Sequence, residues 1–145
     1  FRAKSEKDAL TGFYNKAATV SLVNNALDSD LDIPYTLFVM DIDNFKTIND
    51  TMGHIAGDAV IAEASERIRA IFRSDDIIGR VGGDEFIVLI RGVSEVGHII
   101  HKAKEIIDAF NTMSINAGGF FNVSISIGIE ICTERSNYEK SFIRA

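Results

Sequence analysis

The segment YTLFVMDID, residues 35–43, is the tightest constraint on what this chain can fold into. It is a short apolar run, rich in aromatic and branched side chains, that stops abruptly at acids. A run with so little polarity suits a buried strand, because a strand covered on both faces has no polar side to show. That strand leaves Asp41 and Asp43 at its C-terminal end, a position suited to chemistry. Helices are available to cover it. FYNKAATVSLVNNALDSD places Phe13, Ala17, Val20, Val23 and Leu27 at steps of three and four, which predicts a helix over 13–28. IAGDAVIAEASERIRAIFR repeats the pattern through Val60, Ala64, Ile68, Ile71 and Phe72, and Val96, Ile99, Ile100, Ala103, Ile106, Ile107 and Phe110 mark a third helix.

IIGRV and FIVLI flank Gly82 and Gly83, as the two strands of a β-hairpin would. VSISIGIEI alternates strictly from Val123 to Ile131, the pattern of a strand with one buried face. The order α, β, α, β, β, α, β predicts an α/β domain of the α+β kind: a mixed, mainly antiparallel sheet with helices packed on it. A length of 145 residues fits one such domain. A net charge of −6 argues against non-specific nucleic-acid binding, which needs a basic surface. The lone Cys132 can form no internal disulfide, which fits a reducing, intracellular compartment. The chain has no run of transmembrane length and no signal-peptide pattern, yet it starts at Phe1. It therefore reads as a cytoplasmic piece of a longer parent, which can itself be membrane-anchored.

Two acidic clusters stand at strand ends: Asp41 with Asp43, and Asp84 with Glu85 at the hairpin. Hard oxygen ligands converging from adjacent strands suit Mg²⁺, which completes its shell with water and substrate phosphates, so phosphoryl transfer leads. DIDNFKTINDTM starts like a calcium loop but has Phe45 at the fifth position, Lys46 in place of the turn glycine and Met52 in place of the bidentate Glu. There is neither a phosphate loop ending in Gly-Lys-Ser/Thr nor a dinucleotide fingerprint. His98 and His101, one turn apart on the third helix, fit an exposed face and receive no role.

Four blocks in order, DALTGFYNK, DIDNFKTINDTMGHIAGD, RSDDIIGRVGGDEF and VSISIGIE, span residues 8 to 130. Together they resemble the GGDEF domains, diguanylate cyclases that make cyclic di-GMP from two GTP. The resemblance implies a nucleotidyl-cyclase or polymerase-palm-like fold with a ferredoxin-like core. It implies that Asp41, the Ile42 carbonyl and Asp84 hold two divalent ions, Mg²⁺ or Mn²⁺, with Glu85 joining them as ligand or proton acceptor. Lys46 would stabilise phosphate charge, Asn49 and Asp58 would read the guanine edge, and Phe45 and His54 would support the pocket. Gly82 and Gly83, lacking Cβ, would allow positive φ and let a triphosphate lie against the turn. Arg73 and Asp76 match the family's RxxD product-inhibition site.

The implied partners are GTP, cyclic di-GMP, a second copy in a homodimer and an upstream sensory domain. FRAKSEK, residues 1–7, resembles the end of the connector from that domain, and residues 8–145 the GGDEF domain itself. The family usually continues past SFIRA with D-x-A-L-Y-x-A-K, so the domain reads as C-terminally truncated. Lys16 stands where the family usually has Arg, and Asn44 falls at a variable position. The rival class is a non-catalytic module that senses GTP or cyclic di-GMP. Relatives of that kind typically have a degraded signature, whereas Asp41, Asn49, Asp58, Asp84 and Glu85 are all present here.

Overall fold

The computed structural model describes residues 5–29, 33–92, 95–116 and 120–132. Its main sheet is built around β1 (Tyr35–Ile42), the apolar run ending in acids. On one side β1 pairs antiparallel with β3 (Glu85–Arg91), from Tyr35 opposite Arg91 to Asp41 opposite Glu85. On the other it pairs antiparallel with β6 (Ile125–Cys132), and Ile42 lies opposite Ile125. β2 (Ile77–Arg80) adds to the far side of β3, giving the order β2-β3-β1-β6. Among the described residues these strand pairs are all antiparallel, and the parallel element is an isolated bridge between Tyr14 and Gly79.

Alternation along β1 sends successive side chains to opposite faces, so two separate cores form. Helix α1 (Lys16–Ser29) covers one face, where Val23 and Leu27 pack with Tyr35, Leu37, Ile87 and Leu89. Helices α3 (His54–Ile71) and α4 (Val96–Asn111) cover the other, bringing Val60, Ile61, Ile68, Ile106 and Phe110 against Phe38, Met40, Phe86 and Val88. Each fully buried large side chain of this kind contributes about 1.5–3 kcal/mol. β6 follows its alternation only in part: Ile125, Ile127 and Ile131 pack half-buried toward the α3 and α4 core, but Ile129 on the same face is exposed.

Helix α1 starts later than the apolar spacing suggests, because Asn15 caps it by accepting the Ala18 N–H at 3.0 Å. Phe13 falls before the cap, buried, with its ring edge-to-face on Phe86 at 5.9 Å. Three elements were not legible in the sequence. Helix α2 (Phe45–Met52) has no fully buried residue, and only Phe45 and Ile48 pack partly on the core, too few for a helical stripe. β4 (Ser114–Asn116) and β5 (Phe120–Asn122) form a separate two-stranded hairpin of strands too short to show a period.

Of the connector expected over 1–7, residues 1–4 lie outside the described residues, as does SFIRA at the other end. Lys7 forms an antiparallel bridge to Tyr14 and sets its ammonium 3.6 Å from the centre of that ring. Among the described residues no helix is long and apolar enough to cross a membrane.

Candidate active site

The end of β1 and the β2–β3 turn meet. The Ile42 N–H donates to the Asp84 carbonyl at 3.1 Å, and the strand register sets Asp41 directly opposite Glu85. Directly paired residues project from the same face, so the carboxylates of two distant sequence blocks share one side of the sheet end. The Asp41 carboxyl is pushed up to about 6 by partial desolvation, then by its hydrogen bond with Asp84 and the charges of Asp84, Glu85 and Asp43.

Asp43 is spent differently. Its N–H donates to the Ser124 carbonyl at 3.0 Å, and the hydroxyls of Ser124 and Ser126 donate to its carboxylate at 2.6 and 2.5 Å. Asp43 therefore ties β1 to β6, and Asp41 is the β1 carboxylate left to face the hairpin. Among the described residues no three His, Cys, Asp or Glu side chains converge tightly enough to enclose an ion. Mg²⁺ does not require such a cage: one or two carboxylates suffice when phosphates and water complete the shell. Two hydrogen-bonded carboxyls, a third opposite them and the adjacent strand-end backbone suit a divalent cation held that way.

The proton balance at Asp41 has a measurable consequence. A carboxyl whose folded pKa is raised from 3.8 to about 6 costs the fold stability as pH rises through that window. Without divalent cations, Asp41→Asn is expected to unfold at a higher temperature than the wild type at pH 8. The difference should shrink to nothing near pH 4, where Asp41 is protonated in the fold. Thermal melts at both pH values, in a chelator, check this, and equal midpoints at pH 8 would contradict it.

The turn carrying Asp84 is held from two directions. The Val81 N–H donates to the Glu85 carbonyl at 3.0 Å, closing a loop of Gly82, Gly83 and Asp84. Arg80 donates through Nε and Nη2 to the Gly83 carbonyl at 3.2 and 2.7 Å, and through Nη1 to both Asp8 oxygens at 3.2 Å. Asp8 in turn accepts the Thr11 N–H at 3.0 Å and the Thr11 hydroxyl at 2.8 Å. Burial works against the Asp8 charge, but the bonds from Thr11 and Arg80 outweigh it and hold this carboxyl below its ordinary value. The DALTG turn thus clamps the signature turn through Arg80. No local pattern reveals such a pair across 72 positions, and sequence reasoning missed it.

The expected positive φ at the signature glycines is not found. Among the described residues the glycines in that region are Gly12, Gly53 and Gly92. A Cβ on Gly82 would lie 3.3 Å from Glu85 Cβ, whereas one on Gly83 would meet nothing within 4 Å. These glycines supply space beside Glu85 and an open approach, not an unusual backbone twist.

The chain leaves β1 through Asn44, the one described non-glycine residue at positive φ, 57°. Asparagine tolerates that region better than most residues. Phe45 and Lys46 then lie on the first turn of α2 and Asn49 on the second, Phe45 half-buried and Lys46 exposed. Gly53, at φ 91°, separates α2 from α3, which begins at the exposed His54. The half-buried Asn49 side chain rests against Gly57, the residue before the exposed Asp58. The structure therefore brings Asn49 beside the Asp58 backbone.

Arg73 and Asp76 sit where α3 gives way to β2. Asp76 accepts the Arg73 N–H at 2.8 Å and donates its own N–H to the Arg73 carbonyl at 3.1 Å. Burial pushes the Asp76 carboxyl up. Both residues line two cavities. One, of about 430 Å³, also touches Lys7, Tyr14 and Arg69; the other, of about 220 Å³, also touches Arg91, His98 and Lys102. His98, given no role from the sequence, thus shares a basic cavity wall with Arg73. Asp41, Asp84 and Asn49 line neither cavity; the acidic group occupies the open end of the sheet.

The sequence profile described as diguanylate cyclase, GGDEF domain, matches residues 5–145. The chain belongs to the GGDEF domain family. It is 34% identical over 140 residues to diguanylate cyclase DgcS of Shewanella oneidensis, covering 95% of this chain and 46% of that protein. It is 29% identical over 143 residues to the probable diguanylate cyclase DgcC of Escherichia coli K12, covering 97% of this chain and 38% of that one. The GGDEF domain here therefore spans less than half the length of either relative. Among solved structures, diguanylate cyclase SiaD of Pseudomonas aeruginosa, in complex with its activator SiaC, superposes with a TM-score of 0.87 at 28% identity, covering 97% of this chain and 55% of that chain. The GGDEF domain of DgcB from Caulobacter crescentus, in complex with c-di-GMP, gives a TM-score of 0.90 over 100% of this chain and 88% of that one. At 23% identity that likeness speaks for the fold.

Proposed function

We propose that this GGDEF domain is the half-site of a diguanylate cyclase that condenses two GTP into cyclic di-GMP with release of two pyrophosphates. The observation that carries the proposal is the convergence of Asp41, Asp84 and Glu85 at one end of the sheet. Asp41, the Ile42 carbonyl and Asp84 would hold two ions, Mg²⁺ or Mn²⁺. When bound, such ions neutralise the triphosphate, polarise its α-phosphorus and lower the pKa of the attacking hydroxyl. Lys46 adds positive charge on the phosphate side, and Gly82 and Gly83 leave the turn open to the triphosphate. Glu85 serves as a further ligand or takes the hydroxyl proton. Asn49 and Asp58, with Phe45 and His54 around them, would hold the base: a carboxylate accepts from the N1 and N2 hydrogens of guanine, a pattern adenine lacks.

Each new bond joins the 3′-oxygen of one GTP to the α-phosphorus of the other, and the bond to the leaving pyrophosphate breaks. Two such steps close the ring, so two domains must face each other in a homodimer. An upstream sensory domain would impose that arrangement in the parent, with this domain on the cytoplasmic side. The test is to incubate the full-length parent with GTP and Mg²⁺ and chromatograph the products. Cyclic di-GMP with two pyrophosphates per product is expected; GTP bound but unchanged by a dimeric preparation would favour a non-catalytic sensor.

Product would return to Arg73 and Asp76. A guanidinium pairs with guanine O6 and N7 or with phosphate, and the cations around both cavities suit an anionic ligand. Asp76 holds the backbone, not the side chain, of Arg73, so Arg73→Ala spares the turn. Its expected result is at least about tenfold weaker cyclic di-GMP binding by calorimetry, the equivalent of one charged hydrogen bond, with synthesis retained and product inhibition lost. Unchanged affinity and inhibition would remove this site from the account.

A further inference from the structure

Gly57 has no local reason to be glycine. It lies in the first turns of α3, buried, with no positive φ, where alanine has the higher helix propensity. The reason lies across the helix pair. A Cβ at this position would overlap Asn49 Oδ1, lie 2.9 Å from Asn49 Cγ and 3.3 Å from Phe45 Cζ. The obstruction is chiefly the end of one side chain, so it can be relieved by swinging the Asn49 amide away, without parting α2 from α3.

We infer that Gly57 is a positioning residue for base recognition: by lacking a Cβ it seats the Asn49 carboxamide against α3 beside Asp58, making the two a fixed donor and acceptor set for guanine. The inference rests on the proposal that Asn49 and Asp58 contact the base. It separates two properties that usually fall together. A methyl group at Gly57 leaves the fold intact while displacing a recognition group, so specificity is lost without stability. Asp58, carried on the α3 backbone, stays in place, which leaves half of the recognition set working.

The experiment compares wild type, Gly57→Ala, Asn49→Ala and the double variant by calorimetry with Mg²⁺ and α,β-methylene GTP, α,β-methylene ATP or tripolyphosphate. Gly57→Ala should melt at or above the wild-type temperature and bind the GTP analogue about tenfold more weakly, the worth of one lost hydrogen bond. Its preference for the GTP over the ATP analogue should shrink, and its affinity for tripolyphosphate should not change. In the Asn49→Ala background the alanine at 57 should cost no further affinity, because the group it displaces is already gone. An undiminished GTP preference in Gly57→Ala would overturn the inference, as would a variant that fails to fold even with Asn49→Ala. A wild type that binds both analogues equally would instead overturn the base-contact proposal beneath it.

Discussion

Asp84→Ala is expected to reduce cyclic di-GMP synthesis by more than roughly 100-fold, since even outer-shell partners of a metal site typically cost 10–100-fold when removed. The loss should come without a loss of fold. Asp84 sits in a three-residue turn whose closure uses the backbone of Val81 and Glu85, and Arg80 anchors the Gly83 carbonyl, not the Asp84 side chain. The Asp84 carboxyl also raises the cost of charging Asp41. Removing it relieves that crowding, so the variant should melt no lower than wild type in a chelator at pH 8. The assay is cyclic di-GMP formation in the full-length parent, read beside the melting temperature of each protein. Retained synthesis would show that the signature turn is not the metal site.

Phe86→Ala should have the largest effect on stability. Phe86 follows Glu85 directly, is fully buried and stacks edge-to-face on Phe13 at 5.9 Å, joining the signature hairpin to the DALTG turn. Truncating a buried phenylalanine costs about 3–5 kcal/mol, a large share of the roughly 5–15 kcal/mol that holds a domain together. Urea denaturation should show the midpoint falling with the slope unchanged. A loss under about 1 kcal/mol would mean that the hairpin is anchored by its backbone bonds alone.

What the sequence made legible follows from where the information lies. β1 and β3 could be read because burial on both faces leaves an unbroken apolar run, and β6 because its isoleucines alternate, although that face is only partly covered. The same holds for α3, and for part of α4: Ile99, Ala103, Ile106 and Phe110 of its stripe pack on the core, whereas Val96, Ile100 and Ile107 are exposed. Helix α2 was missed because it keeps a surface position and sends only Phe45 and Ile48 partly inward. The convergence of Asp41 with Asp84 was anticipated because both abut strands, and antiparallel pairing of those strands brings their ends together.

Long-range polar pairing leaves no such trace. Nothing near Asp8 announces Arg80, and nothing near Asp43 announces Ser124 and Ser126, since each bond depends on how strands already in place meet. The glycines show a subtler limit. Gly82 and Gly83 were expected to allow both positive φ and a close approach to the triphosphate, but the residue type reports only that a Cβ is absent. Whether that absence serves twist or space depends on neighbours, and here Glu85 and an open approach decide for space.

On the proposed function, the end of β1 and the signature turn would together form one divalent-cation site. The most direct test is a crystal structure of the protein with Mn²⁺ and α,β-methylene GTP, locating the metal by its anomalous scattering. Manganese peaks at Asp41, Asp84 and the Ile42 carbonyl are expected, with the triphosphate against Gly82 and Gly83. Manganese bound elsewhere, with nucleotide present and those carboxylates unoccupied, would contradict that site.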